Sequence, residues 1–257
     1  MNHLDASMNT ITLPNEVTRH SLKLNLHCVP GFSLLFLVSS LLFLCLPQID
    51  IWTSQLFYQE GANFPANDLW IVKLIYEGTP WLGRLMFLGA ICVVLIAVCS
   101  PSIMSRRHWR RAAALIAVIL LGVGLLVHTI LKDGMGRPRP RDLQIFAGVT
   151  TYVPVFTPSQ YCASNCSFVS GHAAVGFSLM SFGMLAVRRR RQFWLLTGLI
   201  SGCVIGVVRI AQGGHFLSDI VYSFLAIWMS HLIVRSIWLR FRSRQLYKPQ
   251  KLVSRLT

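Results

Sequence analysis

Six stretches of this chain are too long and too apolar for an ordinary water-soluble domain. They run Val29–Leu46, Leu82–Cys99, Ala112–Leu131, His172–Val187, Phe193–Val208 and Phe216–Trp238. A helix of roughly 20 apolar residues crosses a bilayer. In hydrocarbon every backbone polar group must bond within its own segment. The expected fold is therefore all-α, a polytopic six-transmembrane helical bundle. It divides into an N-terminal segment 1–28, a membrane domain 29–238 and a basic tail 239–257. The first stretch contains Pro30 and also has the length of a signal peptide. Its exit, Cys45-Leu-Pro-Gln-Ile-Asp50, offers no small-x-small cleavage site, so it is read as a span.

Charge then gives the bundle a direction. The chain is 54% apolar, and Asp, Glu, Lys and Arg make up only 13% of it, about half the soluble share of roughly 25%. Disorder is excluded, because it needs low hydrophobicity. Yet the net charge is +15, from 24 Lys and Arg against 9 Asp and Glu. A basic nucleic-acid binder would show the same total, so position decides. Arg106, Arg107, Arg110 and Arg111 follow the second span. Arg188 to Arg191 follow the fourth. Arg240, Arg242, Arg244, Lys248, Lys251 and Arg255 follow the sixth. The positive-inside rule makes these segments cytoplasmic, and both termini with them. The loop Pro47–Trp81 faces outward and carries Asp50, Glu60, Asp68 and Glu77 against Lys73. Topology thus accounts for the arginine runs, and no nucleic-acid partner is expected.

Five cations break the rule. Lys132, Arg137, Arg139 and Arg141 follow the third span, and Arg209 ends the fifth. Cations on the outer side call for an anion, either a bound ligand or a lipid headgroup. Cysteines agree with the sidedness. Five lie in or beside spans as packing residues. Cys162 and Cys166 sit in the long outer loop, where a disulfide is expected. A zinc site would need two more ligands.

Three short segments reach this outer face. In Lys132-Asp-Gly-Met-Gly-Arg137-Pro-Arg139-Pro140, glycines and prolines turn the chain, and its cations can converge on one phosphate. In Ser167-Phe-Val-Ser170-Gly171-His172, Ser170 is a natural helix N-cap. The helix start offers N–H groups to an anion, and His172 in the first turn can protonate a leaving oxygen. The bland alternative is a capping serine beside a structural histidine. In Arg209-Ile-Ala-Gln-Gly-Gly-His215-Phe-Leu-Ser-Asp219, His215 and Asp219 stand at i and i+4 and share a helix face. A carboxylate beside an imidazole fixes its tautomer, which suits His215 as a nucleophile oriented by Asp219. Together these groups make a phosphate-sized site without a carboxylate cluster for magnesium. No metal and no cofactor are expected. His128 and His231, alone in spans, are read as packing histidines.

These segments resemble the three signature motifs of the type 2 phosphatidic acid phosphatase family. Lys132, Arg139 and Pro140 match Lys-x6-Arg-Pro; Arg137-Pro138 falls at the wrong spacing. Ser170, Gly171 and His172 match Pro-Ser-Gly-His, with Val169 in place of Pro. Arg209, His215 and Asp219 match Ser-Arg-x5-His-x3-Asp, with Val208 in place of Ser. The resemblance covers about residues 82–238. It implies a helical core and a metal-free phosphatase in which His215 attacks phosphorus, Asp219 activates it and His172 protonates the leaving alkoxide. Lys132, Arg139, Arg209, Ser170 and the Gly171 N–H would bind the phosphate oxygens. The outer loop is similar to that of bacterial lipid A phosphatases.

The expected function is hydrolysis of a membrane lipid phosphate at the periplasmic face of a bacterial inner membrane, with lipid and bilayer as partners. Lipid A, phosphatidylglycerol phosphate, phosphatidate and undecaprenyl diphosphate stay open as substrates, as does the oligomeric state. Two alternatives are carried. One is phosphotransfer from the same phosphohistidine. The other is a non-enzymatic anion-binding protein or transporter, which would be expected to hold charges at mid-depth. Arg137 and Arg141 fit either a second substrate phosphate or headgroup anchoring.

Overall fold

The computed structural model describes the backbone over 14–100 and 106–253, and side chains over 29–100, 108–132 and 134–241. Helix α1 (Pro14–Cys45) runs through Pro30 and stops at Pro47, where the chain turns into the short α2 (Gln48–Gln55). After a 3-10 turn at Pro65–Asp68 comes α3 (Trp70–Cys99). Helix α4 (Arg106–Val118) passes without a break into a π-helical segment, Ile119–Lys132, and a single turn, α5 (Asp133–Met135). An irregular loop follows. The last three helices are α6 (Gly171–Ser178), extended by a 3-10 turn at Leu179–Gly183, then α7 (Arg188–Ala211) and α8 (Leu217–Val253). The side chains of residues 1–28, Arg106, Arg107 and the basic tail beyond Phe241 lie outside the described residues.

Surface composition makes this a membrane bundle. Leu37, Leu85, Leu95, Val98, Leu196 and Ile200 are exposed along the outsides of α1, α3 and α7, which water would penalise and hydrocarbon would not. Among the described residues four helices are long and apolar enough to cross: Trp70–Cys99, His108–Lys132, Arg188–Ala211 and Leu217–Phe241. Val29–Cys45 with Gln48–Gln55, bent by 82°, makes a fifth crossing if counted as one. The expected count of six is thus approximate. The stretch His172–Val187 forms no long helix, because its regular part ends at Ser178. It is the most enclosed part of the bundle, packed against α3, α7, α8 and the π-helical segment. Irregular backbone at membrane depth is tolerated where protein surrounds it.

Close packing around α6 follows from glycine. On α7, Gly198, Gly202 and Gly206 stand four residues apart on one stripe. A Cβ at Gly202 would lie 2.1 Å from the Phe177 ring, and one at Gly198 2.4 Å from the Met180 backbone. Small residues let membrane helices approach at backbone distance. The contacts pair residue 202 with 177 and 198 with 180, so α7 runs antiparallel to the α6 segment. The end of α7 therefore lies beside the start of α6, and both open on the same loops.

Several boundaries differ from the sequence reading: α1 begins at Pro14 rather than Val29, and α8 runs on to Val253 rather than ending at Trp238. Helix α3 begins at Trp70, twelve residues before Leu82, because Pro80 lies within it without ending it. The stretch Pro47–Trp81 is thus largely helical, and Asp50, assigned to an outer loop, is fully buried.

Candidate active site

Backbone hydrogen bonds stitch the three signature segments together. Ser167 N–H donates to the Arg137 carbonyl at 2.9 Å, Arg141 N–H to Gly213 at 3.1 Å and Ser170 N–H to Asp219 at 3.4 Å. Cys162 and Cys166 are disulfide-bonded in the loop just before Ser167. Arg139 donates through Nη2 to the carbonyl of Asn165 inside that small ring, at 2.6 Å. The turn after α7 needs glycine twice. Gly213 has φ +60, and a Cβ on Gly214 would lie 2.3 Å from Nη2 of Arg209.

His215 lies at the centre and is 1% exposed. Its Nδ1 stands 2.7 Å from the Ser167 carbonyl and 3.5 Å from Oδ2 of Asp219. A carbonyl only accepts, so Nδ1 carries the proton and Nε2 carries the lone pair. Sequence spacing assigned this orientation to Asp219; the nearer partner is a backbone carbonyl of the preceding loop. Burial drives the imidazole pKa down from 6.5 to about 4, with Arg209 adding to the fall and Asp219 opposing it. His215 is therefore neutral at physiological pH.

Asp219 is held from several sides. Its Oδ1 accepts from Nη1 of Arg137 at 2.7 Å, and its Oδ2 accepts from the Ser167 hydroxyl and from Phe216 N–H at 2.8 Å. Arg137 itself is 1% exposed. It also donates to Asp50 at 2.8 Å, to the Ser218 hydroxyl at 2.9 Å and to the Val153 carbonyl at 2.8 Å. Burial works against its charge, but Asp219 and Asp50 outweigh that and hold its pKa above the ordinary arginine value. Both sequence readings of Arg137 are therefore corrected. It is neither a headgroup anchor nor a ligand for a second phosphate, because its guanidinium is enclosed and spent on protein acceptors.

The remaining assigned residues surround His172. Its ring stacks on Tyr76 with centroids 4.8 Å apart, and the Arg209 guanidinium lies 4.7 Å over the same tyrosine. Arg209 is 3% exposed and donates to Oε1 of Gln212 at 2.5 Å. The charges of Arg209, His215, Lys132 and Arg139 all act on His172, which places these groups around one point. Nε2 of His172 and Nε of Arg209 are shielded from solvent without a protein partner. Lys132 closes the π-helical segment and is 7% exposed. The Ser170 hydroxyl accepts from Ala173 N–H at 3.3 Å as the N-cap of α6, so one of its lone pairs serves the helix. Gly171 is packed against the imidazole of His128, 3.1 Å from where a Cβ would stand. His128, expected as a packing histidine, makes this contact while the rest of its side chain is exposed.

Arg141 is exposed, with a loose 3.9 Å pair to Asp142, of the kind that adds little stability. Among the described residues no group of three His, Cys, Asp or Glu is arranged to hold a metal ion. The sequence reading missed Tyr76, Asp50, Ser167 and Gln212. Nothing local marks Tyr76 or Gln212. Asp50 carried a signal, a lone acid amid apolar residues next to Pro47.

Comparison with known proteins agrees with the geometry. The PAP2 superfamily pattern matches residues 111–243, the stretch that carries all three segments. The lipid A 4'-phosphatase of Francisella tularensis subsp. novicida is 32% identical over 222 residues, covering 83% of this chain and 96% of the relative. The lipid A 4'-phosphatase of Rhizobium leguminosarum is 31% identical over 210 residues, covering 75% and 86%. That of Rhizobium etli is 31% identical over 209 residues, covering 75% and 78%. No solved structure matches the chain. With the signature segments folded onto one buried histidine inside an apolar bundle, the chain belongs to the PAP2 superfamily.

Proposed function

We propose that this membrane lipid phosphatase removes the 4'-phosphate of lipid A through a phosphohistidine on His215, without a metal. The observation that carries the mechanism is the state of His215: neutral, with Nδ1 committed to Ser167 and Asp219. Its Nε2 lone pair is then ready to attack phosphorus. Lys132, Arg139 and Arg209 take the non-bridging oxygens, helped by the Gly171 N–H and the Ser170 hydroxyl. Such donors are fixed before charge develops, so they favour the transition state. The arriving phosphate dianion reverses the positive field around His172 and lets that imidazole hold a proton. His172 gives it to the departing alkoxide. Water, relieved of a proton by His172, then attacks phosphorus and releases inorganic phosphate and free His215.

The substrate assignment is supported by the names of three relatives that align over most of this chain. A site on the side opposite the arginine runs would take its lipid from the outward leaflet. The termini are then cytoplasmic, and residues 29–238 form the membrane domain.

The test is phosphate release from lipid A, phosphatidylglycerol phosphate, phosphatidate and undecaprenyl diphosphate in detergent micelles with EDTA. Lipid A is expected to be the best substrate, losing the 4'-phosphate. His215→Ala should leave less than about a thousandth of the rate, as loss of a nucleophile does. Activity that survives in this variant, or that EDTA abolishes, overturns the mechanism. In heavy-oxygen water the label should enter the released phosphate; label-free phosphate on a second lipid would mean phosphotransfer.

A further inference from the structure

Tyr76 lies on α3, outside the stretch 111–243 that carries the signature segments, yet its ring touches two groups of the site. The His172 imidazole stacks on it nearly parallel, at an interplanar angle of 13° and a centroid distance of 4.8 Å. The Arg209 guanidinium stands 4.7 Å from the centre of the same ring. Helix packing fixes the height of this ring beside α6. Gly83, about two turns further along α3, lies against Val175 of α6, where a Cβ would stand 3.2 Å from the valine Cγ2.

A histidine that delivers a proton needs both its ring plane and its charged form secured. Such a ring is often oriented by a carboxylate or a backbone carbonyl on one nitrogen, as Asp219 and Ser167 orient His215. In His172 the Nε2 atom is buried without a protein partner, and the stack on Tyr76 defines the plane of the ring. The charged form is opposed by burial and by the charges of Arg209, His215, Lys132 and Arg139. The face of an aromatic ring attracts a cation lying over it. An imidazolium stacked on Tyr76 therefore gains support that a neutral imidazole does not.

We propose that Tyr76 is a positioning residue for proton transfer at His172: its ring holds the imidazole plane and favours the protonated form. When the P–O bond breaks, its electron pair goes to the alkoxide oxygen, and the imidazolium proton moves to that oxygen. The proposal rests on the role given to His172 above and names the group through which α3 enters the chemistry. The bland alternative is that the stack only packs α3 on α6.

The test is a double-mutant cycle. kcat and KM are measured with whichever lipid of the panel above the wild type hydrolyses fastest, for Tyr76→Leu, Tyr76→Phe, His172→Ala and the double variant Tyr76→Leu/His172→Ala. Tyr76 is 39% exposed, so its replacement leaves no buried cavity. Tyr76→Leu should lower kcat at least about tenfold with little change in KM. Tyr76→Phe keeps the ring and should stay within about twofold of wild type. In the His172→Ala background, Tyr76→Leu should cost less than about twofold, because effects acting through one group do not add. A loss in that background as large as in wild type overturns the proposal and makes Tyr76 a packing residue. An equal loss in Tyr76→Phe overturns it by assigning the role to the hydroxyl. Unchanged kcat in Tyr76→Leu overturns it outright. Full activity in His172→Ala, by contrast, would remove the acid itself, and the proposal with it.

Discussion

Arg137 shows how far one side chain can depart from what its spacing suggests. It bridges Asp50 and Asp219, and Ser218 closes the far side by donating to Asp50 from both N–H, at 2.9 Å, and hydroxyl, at 2.6 Å. Removing one member of a buried charge cluster leaves the others uncompensated and costs about 3–5 kcal/mol. Arg137→Met is therefore expected to lower thermal stability in detergent markedly, well beyond the effect of changing exposed Arg141; equal melting temperatures would show the cluster to be dispensable. His215 gives a second prediction. Its pKa is lowered, so the neutral form persists as pH falls, and protonation is expected near pH 4 rather than 6.5. Imidazole nitrogen NMR of the substrate-free enzyme should show no titration of His215 between pH 8 and 6. A midpoint near 6.5 would mean that the ring titrates as if in water.

At the scale of elements, close packing places the candidate catalytic groups. In the π-helical segment the buried positions Gly122, Val127 and Lys132 recur every five residues, the period of an i→i+5 ladder. In an α-helix each step of five turns the side chain by about 140°. Lys132 shares the buried face of this segment with Gly122 and Val127. Lys132 was legible as a motif residue and the stretch Ala112–Leu131 as a span, but the π-helical turn of Ile119–Lys132 was not, because apolar residues occur all around the segment. The turn after α7 is set by sterics. Gly214→Ala would drive a methyl group into the Arg209 guanidinium. It should cost at least about tenfold in phosphate release, approaching the roughly hundredfold expected when one such donor is lost. Unchanged turnover would show that Arg209 has room to shift. The disulfide loop around Asn165 plays the corresponding part for Arg139.

For the whole molecule, sidedness is the property that function most requires. Val149, in the loop that carries the cations, is 85% exposed. In a variant with its four free cysteines and Cys28 replaced by serine, Val149→Cys should react in intact cells with a maleimide that cannot cross the inner membrane. Labelling only after lysis would place the active site in the cytoplasm. The sequence by itself determined the membrane class and the three signature segments, and it supplied the arginine runs on which the proposed direction rests. Those depend on composition and on order along the chain, which local chemistry fixes. It could not give the count of regular spans, since burial among neighbours lets the apolar His172 segment end its regular helix at Ser178. Only the tertiary structure decided which groups meet: Asp50 with Arg137, Tyr76 with His172 and Arg209, and the Ser167 carbonyl with His215. Those partners are brought together by packing between helices far apart in the chain, and no local periodicity encodes a contact across 48 or more residues.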